Sequence, residues 1–167
     1  MDVAIGKNGK DVSFGQLHFG SACLGDARRT KRLVKIADQI MAHPGGSLPH
    51  KMRNWTELTG LYRLVKAEQV THQAVIQAHC QRTRELAEQI GGVVLRIHDT
   101  TELDYSHVPA LHEQLGQVGD GSGFGYLCHN TLAVTPQREV PGLCSQILHK
   151  RRDVPQQETG RQKREHP

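Results

Sequence analysis

The chain has 167 residues, of which 37% are hydrophobic and 4% aromatic, and its formal net charge is +4. This length accommodates one full domain, or one small domain with part of another, and the basic balance favours acidic partners, nucleic acid first. Because no segment approaches the roughly 18 consecutive apolar residues of a membrane span and no apolar leader is visible, we expect a soluble cytoplasmic protein.

Residues 1–20 are polar and contain glycine without a clear period, which predicts a flexible lead-in. The first helix signal follows, with Asp26 as the N-cap candidate and a stop at 43–46. Within this helix, apolar residues recur at helical spacing and predict a buried stripe of Leu33, Ile36, Ala37, Ile40 and Met41.

Two more helices are predicted after the first. Asn54 can cap a helix that runs to about Val65, and Thr71 can cap another that ends at the glycine pair 91–92. Trp55 and Tyr62 lie in the second of these, and we interpret both as core residues rather than base-stacking ones. Three helices in this span predict a small helical domain over residues 21–91.

The hydrophobic period changes after the glycine pair. Residues 93–97 predict a strand, and 116–125 a glycine-rich loop. Residues 127–134 and 140–148 predict two strands that form a hairpin. The expected fold is therefore α+β, with helices first and then a sheet over 92–150 that lacks covering helices and is incomplete. The polar residues 151–167 predict a disordered linker or tail.

Basic residues cluster on the first predicted helix. Arg28, Lys31, Arg32 and Lys35 recur on one face, and Arg29 lies nearer the apolar edge. A cationic helix face with an apolar back can lie along a phosphate backbone or enter a major groove, and these five residues are the DNA-binding candidates. A solvated charged face is the alternative, because amphipathic helices routinely carry one.

Asp99 follows the predicted strand 93–97 directly. A carboxylate at the end of a buried strand must be paired, hydrogen-bonded or bound to a metal. If the strand continues, Glu102 and Asp104 point to the opposite face, so they do not join Asp99 at one metal. The residues alone favour a turn or cap role before Thr100. A metal role requires the Asp99 side chain to be held by its strand rather than to point into solvent.

Several segments resemble the IS-four family of DDE transposases, the Tn-five transposase group. Residues 24–33 (Leu-Gly-Asp-Ala-Arg-Arg-Thr-Lys-Arg-Leu) are similar to its N-terminal signature, and residues 61–64 to its Ala-Tyr-Arg-Phe. Residues 99–101 resemble its Asp-Thr-Thr, and residues 132–143 its next hairpin. The resemblance covers roughly residues 20–152.

The resemblance implies an N-terminal domain that binds double-stranded transposon-end DNA, with Arg28, Arg29 and Arg32 as contacts. It also implies the first strands of an RNase H-like sheet, with Asp99 as the catalytic and metal-binding first member of an Asp-Asp-Glu triad that holds Mg²⁺ or Mn²⁺. Because the chain ends at Pro167, before the other two acids, we expect a truncated transposase that is inactive alone.

Three further expectations follow from the same resemblance. A dimer with a full-length transposase is expected, as is a location at the bacterial nucleoid. The alternative function is a catalytically dead regulatory, inhibitory or vestigial DNA-binding fragment.

Overall fold

A computed structural model describes residues 12–90, 92–120 and 122–151 of the chain. The chain divides into two compact units, one ending at Gln89 and the other beginning at Ile90. The first unit is helical and the second is an antiparallel sheet, which confirms the predicted α+β class. The expected tail over 152–167 lies outside the described residues.

The helical unit contains α1 (Phe14–Phe19), α2 (Ala27–Ala42), α3 (Trp55–Val65) and α4 (His72–Gln89), with a short 3-10 helix (Leu48–Lys51) before α3. Side-chain oxygens of Asp26, Asn54 and Thr71 each accept a first-turn backbone N–H, at 2.8, 3.0 and 3.1 Å. These bonds satisfy N–H groups that have no partner inside the helix, so the three predicted caps are confirmed. Among the described residues, no helix has both the length and the apolar character needed to cross a membrane.

Helix α1 lies where the sequence predicted a flexible lead-in, so that prediction is wrong for residues 14–19. A six-residue helix is unstable alone, and its contacts with α2 supply the missing stability. The Gly15 N–H donates to Asp38 Oδ1 at 2.6 Å, and a Cβ at Gly15 would overlap the carbonyl oxygen of Val34. Glycine therefore allows α1 to approach the α2 backbone. Residues 1–11 lie outside the described part of the chain.

The core of the helical unit lies between the helices. Its buried members are Ala22, Leu24, Leu33, Ile36, Met52, Leu61, Leu64 and Ala78. Leu24 is only 1% exposed. The predicted stripe on α2 is correct for its first three members and wrong for Ile40 and Met41, which are exposed because they lie at the end of the helix.

The second unit is a four-stranded sheet built from β1 (Leu95–Asp104), β2 (Gly116–Val118), β3 (Gly123–Val134) and β4 (Gly142–His149). Strand β3 is central. Strand β1 pairs with one of its edges, and β2 and β4 pair with opposite ends of the other, all antiparallel. The predicted β3–β4 hairpin is confirmed.

Two strand predictions need correction. Strand β1 continues to Asp104 instead of ending at residue 97, and the predicted loop 116–125 contains β2 and the start of β3. The glycines were misleading because one of them serves strand pairing: a Cβ at Gly125 would overlap the carbonyl oxygen of Leu103.

Strand β1 is exposed rather than buried, as only Leu103 among its ten residues is partly covered. Alternate β1 residues, including Leu95 and Ile97, share a face with Leu132 of β3. Leu95 is 56% exposed and Ile97 48%. This face of the sheet therefore carries exposed apolar residues, and the incompleteness of the sheet stays a prediction.

Candidate nucleic-acid interface

A groove of about 620 Å³ lies between α2 and α3 in the helical unit. Four arginines line it: Arg28, Arg29, Arg32 and Arg63. The other lining residues are Asp26, Trp55, Thr56, Thr59, Gly60, Leu64 and Ala67. Four guanidinium groups face a single carboxylate, so the groove attracts anions.

Arg28 lines the groove, and its side chain is 90% exposed. Its Nε and Nη2 donate to Asp26 Oδ2 at 3.2 and 2.9 Å. Asp26 also caps α2, and the hydrogen bonds from Arg28 lower the pKa of this carboxyl group. One aspartate therefore starts the helix and orients the first arginine of the groove.

Arg29 connects the start of α2 to the segment between α3 and α4. Its Nη1 donates to the carbonyl oxygen of Leu24 and to Gln69 Oε1, both at 2.9 Å. These bonds fix the position of the Arg29 guanidinium. Arg29 therefore supports the site through its position as well as its charge.

Arg32 reaches across to α3. A Cβ at Gly60 would overlap Arg32 Nη1, so the guanidinium lies against the bare backbone of α3. Arg63 follows Gly60 by about one helical turn and lines the same groove. Among the described residues, neither Arg32 nor Arg63 forms an ion pair with a carboxylate. Arg29 likewise bonds only to neutral oxygens, so Arg28 alone of the four arginines is ion-paired among the described residues.

The two predicted lysines lie outside this groove. Lys35 Nζ lies 2.6 Å from Glu57 Oε1, and Lys31 lines a separate depression beside α1 together with Gln16 and Gly20. The basic helix was predicted to bring five cations together, three arginines and two lysines. The structure brings only the three arginines together at the groove. Sequence spacing could not reveal that α3 supplies an acid to Lys35.

Glu57 fixes α3 against α2. Besides the ion pair with Lys35, it accepts hydrogen bonds from Gln39 Nε2 at 2.5 Å and from the Arg53 N–H at 2.9 Å. The bond from Lys35, followed by those from Arg53 and Gln39, lowers the pKa of Glu57 to about 2. The carboxylate thus stays ionised and holds the two walls of the groove in register.

Asp99 lies within β1, opposite Asn130 of β3, and it is exposed. Its Oδ2 accepts from Thr101 Oγ1 at 3.3 Å, and Asn130 Oδ1 accepts from Gln146 Nε2 at 2.8 Å. The side chains form a polar row across the apolar face. Both the buried strand end and the turn or cap role are wrong, because β1 is exposed and continues past Asp99.

The acids after Asp99 face the other side of the sheet, as the period of two predicted. Glu102 Oε2 accepts from the Gly119 N–H at 3.0 Å, and Asp104 Oδ1 accepts from the Ser106 N–H at 2.8 Å. Within residues 12–90, 92–120 and 122–151, no group of three histidine, cysteine, aspartate or glutamate side chains could hold a metal. Asp99 is therefore not part of a group of three possible metal ligands within the described residues.

The helical unit was compared with known protein families. Residues 12–70 match a family model described as transposase DNA-binding. Residues 12–70 are therefore similar to transposase DNA-binding domains. The matched span takes in α1, α2 and α3 and contains every residue that lines the groove. The match supports DNA as the partner that the basic helix predicted.

Two residues of this transposase DNA-binding match were missed as site candidates. Trp55 is 78% exposed and lines the groove, so its interpretation as a core residue is wrong. Trp55 is the first residue of α3, and its place in a predicted helix gave no sign of its exposure. Arg63 stands within the segment 61–64 that carried the resemblance, and this position was the available signal.

Tyr62 also departs from its predicted core role. It is 46% exposed and does not line the groove of the transposase DNA-binding match. Its neighbours Leu61 and Leu64 are 4% and 5% exposed and hold α3 against the core. Tyr62 is therefore an exposed aromatic residue on the same helix as Trp55, outside the groove.

Proposed function

We propose that this chain binds transposon-end DNA through the α2–α3 groove, as a member of the IS-four family. The observation that carries the proposal is the presence of four arginines around one groove inside the transposase DNA-binding match. Arginine presents a planar fork of donors that suits phosphate oxygens and guanine edges. The resemblance of residues 24–33 to the IS-four signature supports a terminal repeat as the target.

The four arginines differ in their surroundings, so their proposed roles in DNA binding differ. Arg29, Arg32 and Arg63 form no ion pair with a carboxylate among the described residues, so they would supply most of the attraction to phosphates. Arg29 is held in place by Leu24 and Gln69 and would fix the register of the duplex. Arg28, whose side chain is 90% exposed, can reach a base edge or a phosphate.

The test is a fluorescence-anisotropy titration of the full chain against a labelled short duplex, enriched by the chain from a random pool, and its scrambled version. Arg32→Ala should weaken binding on the order of tenfold, since a charged hydrogen bond is lost. Lys31→Ala is the matched control, because Lys31 lies outside the groove on the same helix. Equal affinity for both duplexes, or equal loss in both variants, would contradict the proposal.

Metal-dependent cleavage does not follow from the residues described. Mg²⁺ prefers six oxygen ligands in near-octahedral geometry, and Asp99 has only the neutral amides of Asn130 and Gln146 in its row. These residues do not fit a magnesium site by themselves. Asp99 is exposed and so does not meet the condition stated for a metal role. Asp99 as the first carboxylate of a metal site is therefore a proposal that requires both a cover over this strand and further ligands from another segment or another chain.

A second candidate is a regulator that occupies transposon ends and competes with a complete transposase, with or without forming a dimer with it. The observation that favours it is the separation of the arginine groove and the sheet into two compact units. Co-expression with an intact transposase of the same element should lower transposition, and Arg32→Ala should restore it. Unchanged transposition would remove this candidate.

A further inference from the structure

Trp55 combines three properties at one position. It is the first residue of α3, its side chain is 78% exposed, and it lines the arginine groove. It is also the only tryptophan in the sequence. Tryptophan is highly buried on average in proteins, so an exposed indole at a groove suggests that a partner covers it.

The surroundings of Trp55 identify the chemistry of that partner. Four arginines, Thr56 and Thr59 are among the polar residues that line the groove, and its apolar members apart from Trp55 are Leu64 and Ala67. Leu64 is 5% exposed. An apolar peptide would find little surface there and would leave the arginines unpaired. A nucleic acid offers phosphates to the arginines and a flat aromatic face to the indole.

A base inside an intact duplex is covered on both faces by its neighbours. Unless a base step is opened, an indole can stack only on a terminal base pair or on an unpaired base. Resting on the DNA-binding function proposed above, we propose that Trp55 stacks on an exposed nucleobase at the end of the duplex or in an unpaired stretch beside it. The arginines hold the adjoining phosphates and so set which base meets the indole.

The single indole is its own reporter, since all tryptophan emission comes from Trp55. We would titrate the full chain with three probes of one sequence: a blunt duplex, a duplex with an unpaired extension, and a duplex closed at both ends by a base-free linker that blocks the terminal base pair. Emission and anisotropy of a dye on the DNA are followed together. Stacking predicts quenching and protection from acrylamide with the extended or blunt probe, and neither effect with the closed probe.

Variants separate stacking from general binding. Trp55→Ala should weaken binding of the extended probe on the order of tenfold or more, and Trp55→Phe should recover part of the loss. Tyr62→Ala is the matched control, because Tyr62 is an exposed aromatic residue of the same helix outside the groove. Helical circular dichroism verifies that each variant folds.

The outcomes distinguish this inference from the function on which it rests. If anisotropy reports binding while Trp55 emission stays unchanged, or if Trp55→Ala binds all three probes as tightly as the parent chain, stacking is wrong and DNA binding stands. If no probe binds and Arg32→Ala changes nothing, the proposed function itself fails. Quenching by all three probes to the same extent would place Trp55 against the backbone instead of a base.

Discussion

Lys35 of α2 and Glu57 of α3 form an ion pair with 2.6 Å between Nζ and Oε1, and this pair joins the two helices that make the groove. Gln39, only 5% exposed, donates to the same carboxylate. Removing the acid therefore leaves a buried amide without its acceptor, whereas removing the exposed lysine does not. The stability of the groove depends more on Glu57 than on its cationic partner.

The first prediction concerns Glu57 and pH. Its folded pKa, about 2, lies below the ordinary value of 4.5, so its contribution to stability is fully present above about pH 4.5 and is lost as pH falls toward 2. Glu57→Gln should lower the urea midpoint of the helical signal most at neutral pH, with the deficit shrinking on acidification. Lys35→Met should cost less at neutral pH. A deficit that stays constant from neutral pH to pH 2 would show that ionisation of Glu57 does not stabilise the fold.

The second prediction concerns His18 on α1. Its Nδ1 lies 3.0 Å from Nδ1 of His79 on α4, beside the rings of Phe14 and Phe19. Burial, then the charges of His79 and Arg82, lower the pKa of His18 to about 4 from 6.5. The unfolded chain therefore takes up the proton first, and stability falls as pH drops from 6.5 toward 4.

His18→Gln should reduce the slope of stability against pH in that window, as measured by urea unfolding at several pH values. A residual slope is expected, because burial also lowers the pKa of His79. His50→Gln provides a control on a histidine of the 3-10 helix before α3. An unchanged slope in His18→Gln would show that the α1–α4 histidine contact does not control the acid response.

The third prediction concerns Gly60, where a side chain would displace the Arg32 guanidinium. Glycine inside a helix costs about 1 kcal/mol relative to alanine, so Gly60→Ala should raise the stability of the helical unit by up to that amount. The same change should weaken DNA binding, because Arg32 can no longer lie against α3. The two effects have opposite signs, which urea unfolding and anisotropy titration test separately. Tighter DNA binding in this variant would contradict the role assigned to the Arg32–Gly60 contact.

The fourth prediction concerns Arg63, which was not among the predicted DNA-binding residues. If Arg63 binds a phosphate, Arg63→Ala should reduce the slope of log affinity against log salt by about one. Arg84 on α4 lies outside the groove lining and makes a suitable control for loss of one surface charge. The measurement is the anisotropy titration repeated across a salt series. A slope equal to that of the parent chain would exclude a phosphate contact.

The fifth prediction concerns Asp99 and divalent metal. Because Asp99 lies in the sheet unit and the arginine groove in the helical unit, Asp99→Asn should leave DNA affinity unchanged, as should EDTA. Supercoiled plasmid with added Mg²⁺ or Mn²⁺ should stay intact, because the described residues supply one carboxylate to any metal there. Metal-dependent nicking that disappears in Asp99→Asn would instead establish a complete cation site.

Local signals predicted the helices well. Asp26, Asn54 and Thr71 start their helices through hydrogen bonds to the next turn, so each boundary could be read from a few neighbouring residues. Helix α1 was missed because its stability depends on Asp38 and Val34, which are distant in sequence. A short helix that is stabilised by tertiary contacts has too few turns to show a hydrophobic period in the sequence.

The site was predicted only in part for the same reason. The arginines of α2 share a helix face, and that face could be derived from one stretch of sequence. Glu57, Trp55 and Arg63 belong to α3, and their contribution depends on how α3 packs across α2. The exposure of Asp99 likewise depends on what covers the sheet, which a strand pattern does not specify.

Asp26 places a carboxylate on the Arg28 guanidinium at the spot where a phosphate would bind. A single inorganic anion therefore competes with the Asp26 carboxylate for the Arg28 guanidinium. A polynucleotide could displace the Asp26 carboxylate, because its neighbouring phosphates would engage Arg32 and Arg63 at the same time and offset the loss of the Asp26–Arg28 contact. If the groove binds DNA as proposed, this ion pair would weaken the binding of small anions more than that of a polynucleotide.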